Sequence, residues 1–164
     1  GEFDKFSAVI GTQVKEWMDK GTREMVPVTS PDNVLINARM AGGVVASIHV
    51  ASVPYAGSCY RMEIYGREGT LVASSADSPQ LQEVRLEGAR KGDKLQPLEI
   101  PARCVQVPEG TPQGEPFNVA QMYGRFAQAI RTGRACEPNF DTAIELHRLI
   151  DRIRASADHD AILS

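Results

Sequence analysis

The chain has 164 residues, of which 42% are hydrophobic and 24% charged, and its net charge is −3 at pH 7. This composition is typical of a globular domain of ordinary size. Acidic and basic residues are interspersed, and no apolar run approaches the roughly 20 residues that cross a bilayer. We therefore expect neither a nucleic-acid partner nor a membrane partner.

The cysteines Cys59, Cys104 and Cys136 are odd in number and follow no metal-ligand spacing. Free cysteines of this kind are typical of a reducing compartment, so a cytoplasmic location is expected. The chain begins without methionine, and its first three residues, Gly-Glu-Phe, resemble a cloning remnant. We therefore expect the natural protein to be longer.

The first regular segment, from Phe6 to Met18, has apolar residues spaced mostly as in a strand, with a bulge expected at Gly11. A helix is the alternative interpretation of this segment. The polar residues Asp19 to Arg23 predict a turn. The Thr-Ser-Pro-Asp-Asn run at 29–33 predicts a second turn.

Two hairpins are predicted next. Val34 to Met40 and Val44 to Val53 flank a Gly-containing turn, and the apolar face of the return strand should meet the core, leaving His49 on the polar face. The second hairpin spans Tyr60 to Ser74, YRMEIYGREGTLVAS, and alternates apolar and polar side chains with period two. Its two turn glycines, Gly66 and Gly69, are expected to take positive φ.

A third hairpin is expected from Leu81 to Glu87 and Leu95 to Ile100, and its charged strands place it at a sheet edge. Four prolines and two glycines between Pro101 and Pro116 then predict a connecting loop.

Two helices are predicted at the end of the chain. The first carries an apolar stripe of helical period, with Asn118 at its start and Gly133 after its end. The stripe consists of Val119, Met122, Tyr123, Phe126, Ala127 and Ile130. The second helix runs from about Thr142 to Ala157, with a capping box formed by Thr142 and Glu145. The face expected to pack is Ala143, Leu146, Ile150, Ile153 and Ala157.

Strands first and helices last predict an α+β fold: an open, mostly antiparallel β-sheet with helices packed on one face. We expect a single domain over residues 4–164. One face of the sheet would remain uncovered, which favours a homo-oligomer.

The motifs of cofactor and metal chemistry are missing from the sequence. It contains neither GxGxxG nor GxxxxGK[ST], and its paired glycines lie in turns between strands, whereas a phosphate site needs a strand that leads into a helix. The histidines His49, His147 and His159 form no HExxH or i, i+4 pair, so they are interpreted as structural. Cys59 has no basic cluster in sequence that would make it reactive. We therefore predict no catalytic residue, no metal and no cofactor bound by this chain.

Tyrosines supply the candidate binding groups. Tyr55 and Tyr60 flank the loop at the rim of the predicted sheet, where their hydroxyls could bind a sugar or polyol, or serve only as edge packing. Arg61, Glu63 and Tyr65 share one face of their strand. That polar face is either the wall of a site or a contact surface for another subunit.

Four segments together resemble the C-terminal domain of the glucose–fructose oxidoreductase, inositol dehydrogenase and rhizopine-catabolism (GFO/IDH/MocA) family. They are Thr-Ser-Pro-Asp-Asn at 29–33, Ala-Gly-Gly at 41–43, EIYGREGTL at 63–71, and NFDTA with ELHRLI between 139 and 150. The resemblance covers roughly residues 6–156.

The resemblance implies a two-domain oxidoreductase in which a separate Rossmann domain binds NAD or NADP. The present chain would then supply part of the pocket for a sugar, polyol or related substrate, with Tyr55 and Tyr60 as substrate-binding residues. It would also supply an oligomer contact through the open sheet face. The family's Rossmann half, its Lys-containing E-K-P segment and its D-x-x-x-H helix are absent from this sequence. Because hydride transfer needs cofactor, base and substrate in one geometry, we expect this chain alone to be inert.

An alternative interpretation is a non-catalytic, dimerising binding module or regulator on the same scaffold, as in the yeast galactose-pathway repressor. Fold alone does not separate the two, because function resides in the site.

Overall fold

The computed structural model describes residues 2–52, 57, 59–159 and 162–163. Within these residues the strands are β1 (Phe3–Gly11), β2 (Glu16–Met18), β3 (Met25–Pro27), β4 (Asn33–Met40), β5 (Val45–Ala51), β6 (Tyr60–Tyr65), β7 (Gly69–Ser75), β8 (Arg85–Arg90) and β9 (Gln96–Leu98). The α-helices are α1 (Glu115–Thr132) and α2 (Phe140–Asp158). Every strand pairing is antiparallel. The α+β class is confirmed.

The chain divides into two compact units. Unit 1 comprises Gly1–Tyr55 and Pro138–Ser164, and unit 2 comprises Ala56–Glu137. Among the described residues, hydrogen bonds form a three-stranded sheet β1-β4-β5, a two-stranded sheet β2-β3 and a four-stranded sheet β6-β7-β8-β9. That residues 4–164 act as a single domain stays a prediction.

The core of unit 1 lies between its three-stranded sheet and α2. Phe6 is 1% exposed and packs with three other buried side chains, Ala8, Ile36 and Ala38. From the helix side, Leu149, Ile153 and Ala157 cover this cluster. The predicted packing face of α2 was therefore wrong in part, because Leu146 is 57% exposed.

The outer edge of β1, away from β4, is closed by the end of the chain. Phe6 donates its N–H to the carbonyl of Leu163 at 2.8 Å and accepts the N–H of Leu163 at 2.9 Å. The N–H of Ala8 is donated to the hydroxyl of Ser156, which is fully buried, at 3.1 Å. The edge donors of β1 are thus satisfied by residues about 150 positions later in sequence.

The carboxylate of Asp32 binds the backbone of the residues that follow β1. Asp32, 7% exposed, accepts the backbone N–H of Val14 at 2.7 Å and that of Gln13 at 2.8 Å. These bonds, the one from Val14 first, hold the pKa of Asp32 below its ordinary value. The predicted bulge at Gly11 was wrong. Strand β1 ends at Gly11, and the N–H groups of Gln13 and Val14 bond to the Asp32 carboxylate instead of to a neighbouring strand.

The hairpin predicted for unit 2 is confirmed as β6–β7, but its glycines serve another purpose. Neither Gly66 nor Gly69 has a positive φ. At Gly69 a Cβ would lie 2.3 Å from the carbonyl oxygen of Ala89, so the close approach of the β8 backbone requires glycine there. The third hairpin is also shifted: β8 begins at Arg85 and β9 ends at Leu98.

Both helix starts differ from the prediction. Helix α1 begins at Glu115 directly before Pro116, a residue favoured in the first turn, whereas Asn118 lies within the helix and donates to the carbonyl of Gln80 at 2.8 Å. Gly133 ends α1 in the left-handed conformation, as predicted. Helix α2 has Asn139 as its cap and a reciprocal capping box with Thr142, one turn earlier than expected.

Replacing Ser156 by Ala should lower the free energy of unfolding by about 1–3 kcal/mol, because the buried N–H of Ala8 loses its acceptor. Urea unfolding followed by circular dichroism would measure this loss. Ser47→Ala, at an exposed position of β5, is the matched control and should change stability by no more than about 0.5 kcal/mol. Equal effects of the two changes would contradict the role given to Ser156.

Gly69→Ala should destabilise the chain by about 3 kcal/mol, because its Cβ meets rigid backbone. Gly88→Ala should cost about 1 kcal/mol, since the nearest atoms are the flexible side-chain ends of Leu98, at 2.6 Å, and Leu71, at 3.1 Å. Thermal unfolding of both variants tests this order. A Gly88 variant that is less stable than the Gly69 variant would show that backbone approach is not the constraint.

Candidate functional site

The β6–β7 ladder positions Tyr60, one of the two predicted substrate-binding residues. Tyr60 is half-buried at the first position of β6 and pairs with Ser75 at the end of β7. Its hydroxyl lies 3.7 Å from the sulfur of Met62, to which it can donate. Tyr55, the other predicted residue, lies outside the described residues. The binding role of both tyrosines stays a prediction.

Ser75 was missed by the sequence interpretation, which ended the second hairpin at Ser74. It is 6% exposed, and among the described residues its hydroxyl has no hydrogen-bond partner. Directly opposed residues of antiparallel strands project from the same face, so Ser75 and Tyr60 share one face of the sheet. A buried hydroxyl without a partner is uncommon and is a candidate for binding a polar group. The only sequence signal was a serine at the end of an aliphatic strand.

The opposite face of β6 carries a short polar network. Arg61 donates from Nε to Glu63 Oε1 at 2.7 Å, and the hydroxyl of Tyr65 donates to the other oxygen of Glu63. The Tyr65 hydrogen bond, followed by that of Arg61, lowers the pKa of Glu63. The same bond, reinforced by the charge of Glu63, raises the pKa of Tyr65 above its ordinary value of 10.0. The three residues are exposed. That this face is the wall of a site or a contact surface for another subunit stays a prediction.

The histidines and cysteines lie in separate places. His49 Nε2 lies 3.3 Å from Asn33 Oδ1 on the open face of the three-stranded sheet, whereas His147 is exposed on α2. Cys59, Cys104 and Cys136 are free. Within the described part of the chain, no three His, Cys, Asp or Glu residues are grouped so that they could hold a metal ion.

Unit 2 also contains a groove that the sequence did not predict. Its volume is about 900 Å³, and β8, β9, residues 79–84 and the first half of α1 line it. Charged side chains at its wall are Glu83, Arg85, Glu87 and Glu99. The groove arises because α1 is held to residues 104–106, where the Gln121 amide accepts the Gln106 N–H at 2.7 Å and donates to the Cys104 carbonyl at 2.8 Å.

No helix among the described residues is long and apolar enough to span a membrane. The turn glycines Gly42 and Gly43 have positive φ and connect strands β4 and β5, so they offer no helix N-terminus to a phosphate.

Comparison with known proteins shows which of them share the fold of this chain. No family model matches the chain. The levoglucosan dehydrogenase apo structure superposes with a TM-score of 0.81 over 99% of this chain and 46% of its own, at 22% identity. The aligned region is the C-terminal portion of such proteins. The chain shares its fold with part of levoglucosan dehydrogenase.

Two further relatives extend the comparison. The oxidoreductase sll0816 of Synechocystis sp., itself uncharacterised, is 28% identical over 126 residues, which are 76% of this chain and 34% of that protein. A super-repressor mutant of Gal80p from Saccharomyces cerevisiae has a TM-score of 0.77 at 17% identity, over 99% of this chain and 44% of its own. The chain thus spans less than half the length of these relatives, and their fold is shared by dehydrogenases and a repressor.

Removal of the Glu63 carboxylate should return the titration of Tyr65 toward its ordinary value. In the unaltered chain Tyr65 should ionise above pH 10, because the proton is held by a hydrogen bond to an anion. The protonated form stabilises the fold, so this contribution is present below pH 10 and lost as the pH rises through the higher pKa of the folded state. Absorbance titration of tyrosinate would show an earlier transition in Glu63→Gln.

The matched control for that titration is Glu83→Gln, an exposed glutamate in the segment before β8. It should leave the tyrosine titration unchanged. Identical curves for the unaltered chain and Glu63→Gln would refute the hydrogen bond between Tyr65 and Glu63.

Proposed function

We propose that this chain is the C-terminal substrate-side and oligomerisation domain of a longer NAD(P)-dependent oxidoreductase that acts on a sugar, polyol or related compound. The observation that carries the proposal is the fold match over 99% of the chain to levoglucosan dehydrogenase, whose structures include complexes with NADH and with levoglucosan or L-sorbose. The sequence match to a second oxidoreductase supports it independently.

Cofactor and catalysis are assigned to the other half of the protein. NAD or NADP would bind there, because this sequence contains no GxGxxG motif between a strand and a helix. The acid–base lysine and histidine would also lie there. The chain alone is then inert, and the free cysteines are in keeping with a cytoplasmic protein.

The substrate contact is assigned to Tyr55 and Tyr60. Sugars and polyols present several hydroxyl groups, each a donor and an acceptor. A tyrosine hydroxyl, which both donates and accepts, can bind such groups without charge. A neutral, hydroxyl-rich substrate suits this face better than a charged one.

Self-association is assigned to the face of the three-stranded sheet opposite α2. Three apolar side chains there are exposed: Val9 by 66%, Leu35 by 43% and Val45 by 82%. Exposed apolar groups on an uncovered sheet face favour contact with a second copy.

A second candidate function is a regulator that binds a ligand without turnover, which the fold match to Gal80p supports. The two candidates differ in the other half of the protein. An oxidoreductase needs its acid–base residues beside the nicotinamide, whereas a regulator does not.

The natural, longer protein should bind NAD or NADP and reduce it in the presence of a sugar or polyol, while this chain alone should do neither. Isothermal titration with each dinucleotide and absorbance at 340 nm with a panel of sugars measure both properties. Dinucleotide binding without turnover of any sugar would favour the regulator. Dinucleotide binding by the isolated chain would overturn the proposal.

Tyr60→Phe in the longer protein should raise KM for the sugar by roughly 2–10-fold, the effect of about 0.5–1.5 kcal/mol for one lost hydrogen bond. Tyr123→Phe, which removes an exposed hydroxyl from α1, is the matched control and should leave KM unchanged. Equal KM values in all three proteins would remove Tyr60 from the substrate site.

A further inference from the structure

The β2–β3 hairpin, residues 16–27, is held together by its own hydrogen bonds, and we call it the arm. Its two strands pair only with each other, and in its turn the Asp19 carboxylate accepts the N–H groups of Gly21 at 2.9 Å and Thr22 at 2.7 Å. Among the described residues, no hydrogen bond or ion pair joins the arm to the rest of the chain. Within unit 1, its orientation is therefore set by the segments that connect it to β1 and β4.

Residues 12–15 and 28–31 are these connecting segments, and together they form the neck of the arm. The two segments bond to each other, since the N–H of Val28 donates to the carbonyl of Lys15 at 2.8 Å. A connection of this kind, outside the ladders of the sheet, can turn about its backbone dihedrals. A tie between the neck and the three-stranded sheet is needed to fix the direction of the arm.

Asp32 supplies that tie. Its backbone is fixed on both sides, because its N–H donates to the carbonyl of Gly11 at 3.0 Å and its carbonyl accepts the N–H of Ser52 at 2.9 Å. From this position its carboxylate accepts the N–H groups of Gln13 at 2.8 Å and Val14 at 2.7 Å. In the described part of the chain, only this carboxylate forms hydrogen bonds between the neck and the end of the three-stranded sheet.

Two further side chains orient the carboxylate. Asn33, in β4, donates from Nδ2 to Asp32 Oδ1 at 2.9 Å. An ionised carboxylate can only accept, so the Asn33 amide presents its NH2 group to Asp32 and its oxygen to His49. His49 Nε2, in β5, lies 3.3 Å from that oxygen and donates to it. Asp32 is thus held from β4 and β5 while it binds the neck.

The negative charge strengthens the tie. Hydrogen bonds to an ionised acceptor are about twice as strong as those between neutral groups. The N–H of Val14, and after it that of Gln13, lowers the pKa of Asp32, so the carboxylate is ionised at neutral pH. An asparagine in its place would offer one accepting oxygen and an NH2 group that cannot accept.

We propose that Asp32 is a latch between the arm and the three-stranded sheet. With the carboxylate bound to the neck, the arm and the sheet move as one body. Without it, the arm turns about residues 12–15 and 28–31. The Thr-Ser-Pro-Asp-Asn run at 29–33, predicted to be a turn, thereby carries the anchor of the arm. The latch lies within unit 1 and does not depend on the proposed function.

Asp32→Asn in this chain should release the arm without unfolding the sheet. Trp17 is the only tryptophan of the chain and lies in β2, so its fluorescence anisotropy reports motion of the arm. The anisotropy should fall in the variant, and amide exchange of Gln13 and Val14 should become at least about tenfold faster. Exchange of Ala8, in β1, should change by less than about twofold.

Asp4→Asn is the matched control, because it also removes one carboxylate from unit 1. Asp4 lies near the opposite end of β1 and pairs with Arg39 at 2.7 Å. The Trp17 anisotropy and the exchange of the neck amides should equal those of the unaltered chain. An equal fall of the anisotropy in both variants would mean that loss of charge, and not the latch, releases the arm.

Other results would overturn the latch as well. Unchanged anisotropy in Asp32→Asn would mean that further contacts, from unit 2 or from a second copy, fix the arm. Equally faster exchange of the neck and of Ala8, or loss of the fold, would mean that Asp32 stabilises the whole sheet. The unaltered chain gives an independent measurement. Its Gln13 and Val14 amides should exchange at least about tenfold more slowly than in an unstructured peptide of the same sequence, and exchange at the peptide's rate would contradict the latch.

Discussion

The outer edge of β1 is the constraint on which unit 1 depends. Edge strands expose unpaired backbone donors and acceptors. Here the bridge between Phe6 and Leu163 and the hydroxyl of Ser156 close that edge. The contact joins residues from the two ends of the sequence, so α2 and the three-stranded sheet are stabilised together. The same closure places Phe6 at 1% exposure beneath the helix.

The strands of the sheets could be predicted from alternation, because a half-buried ladder imposes period two on its residues. The β4–β5 and β6–β7 hairpins were found in this way. Contacts between distant residues could not be predicted: nothing in the sequence around Ser156 distinguishes a serine that accepts the Ala8 N–H from one that faces solvent. The same limit explains why Gly69 was assigned to a positive φ, since only the position of Ala89 reveals the close approach.

The candidate site was predicted in part. Tyr60 lies at the start of a strand, as the spacing indicated. Its partner on the neighbouring strand, Ser75, was missed because the predicted strand ended one residue before the end of β7. The stripe of α1 has helical period, and the helix that this period predicts is confirmed, although Gly114 rather than Asn118 precedes it.

The measurement that tests the account most directly is the natural coding sequence upstream of Phe6. A dinucleotide-binding half leaves a clear signature of a strand, GxGxxG and a helix, and a catalytic one adds E-K-P and D-x-x-x-H segments. The account predicts all of these in one reading frame. A start codon within a few residues of Phe6, or an upstream half without a dinucleotide motif, would contradict it.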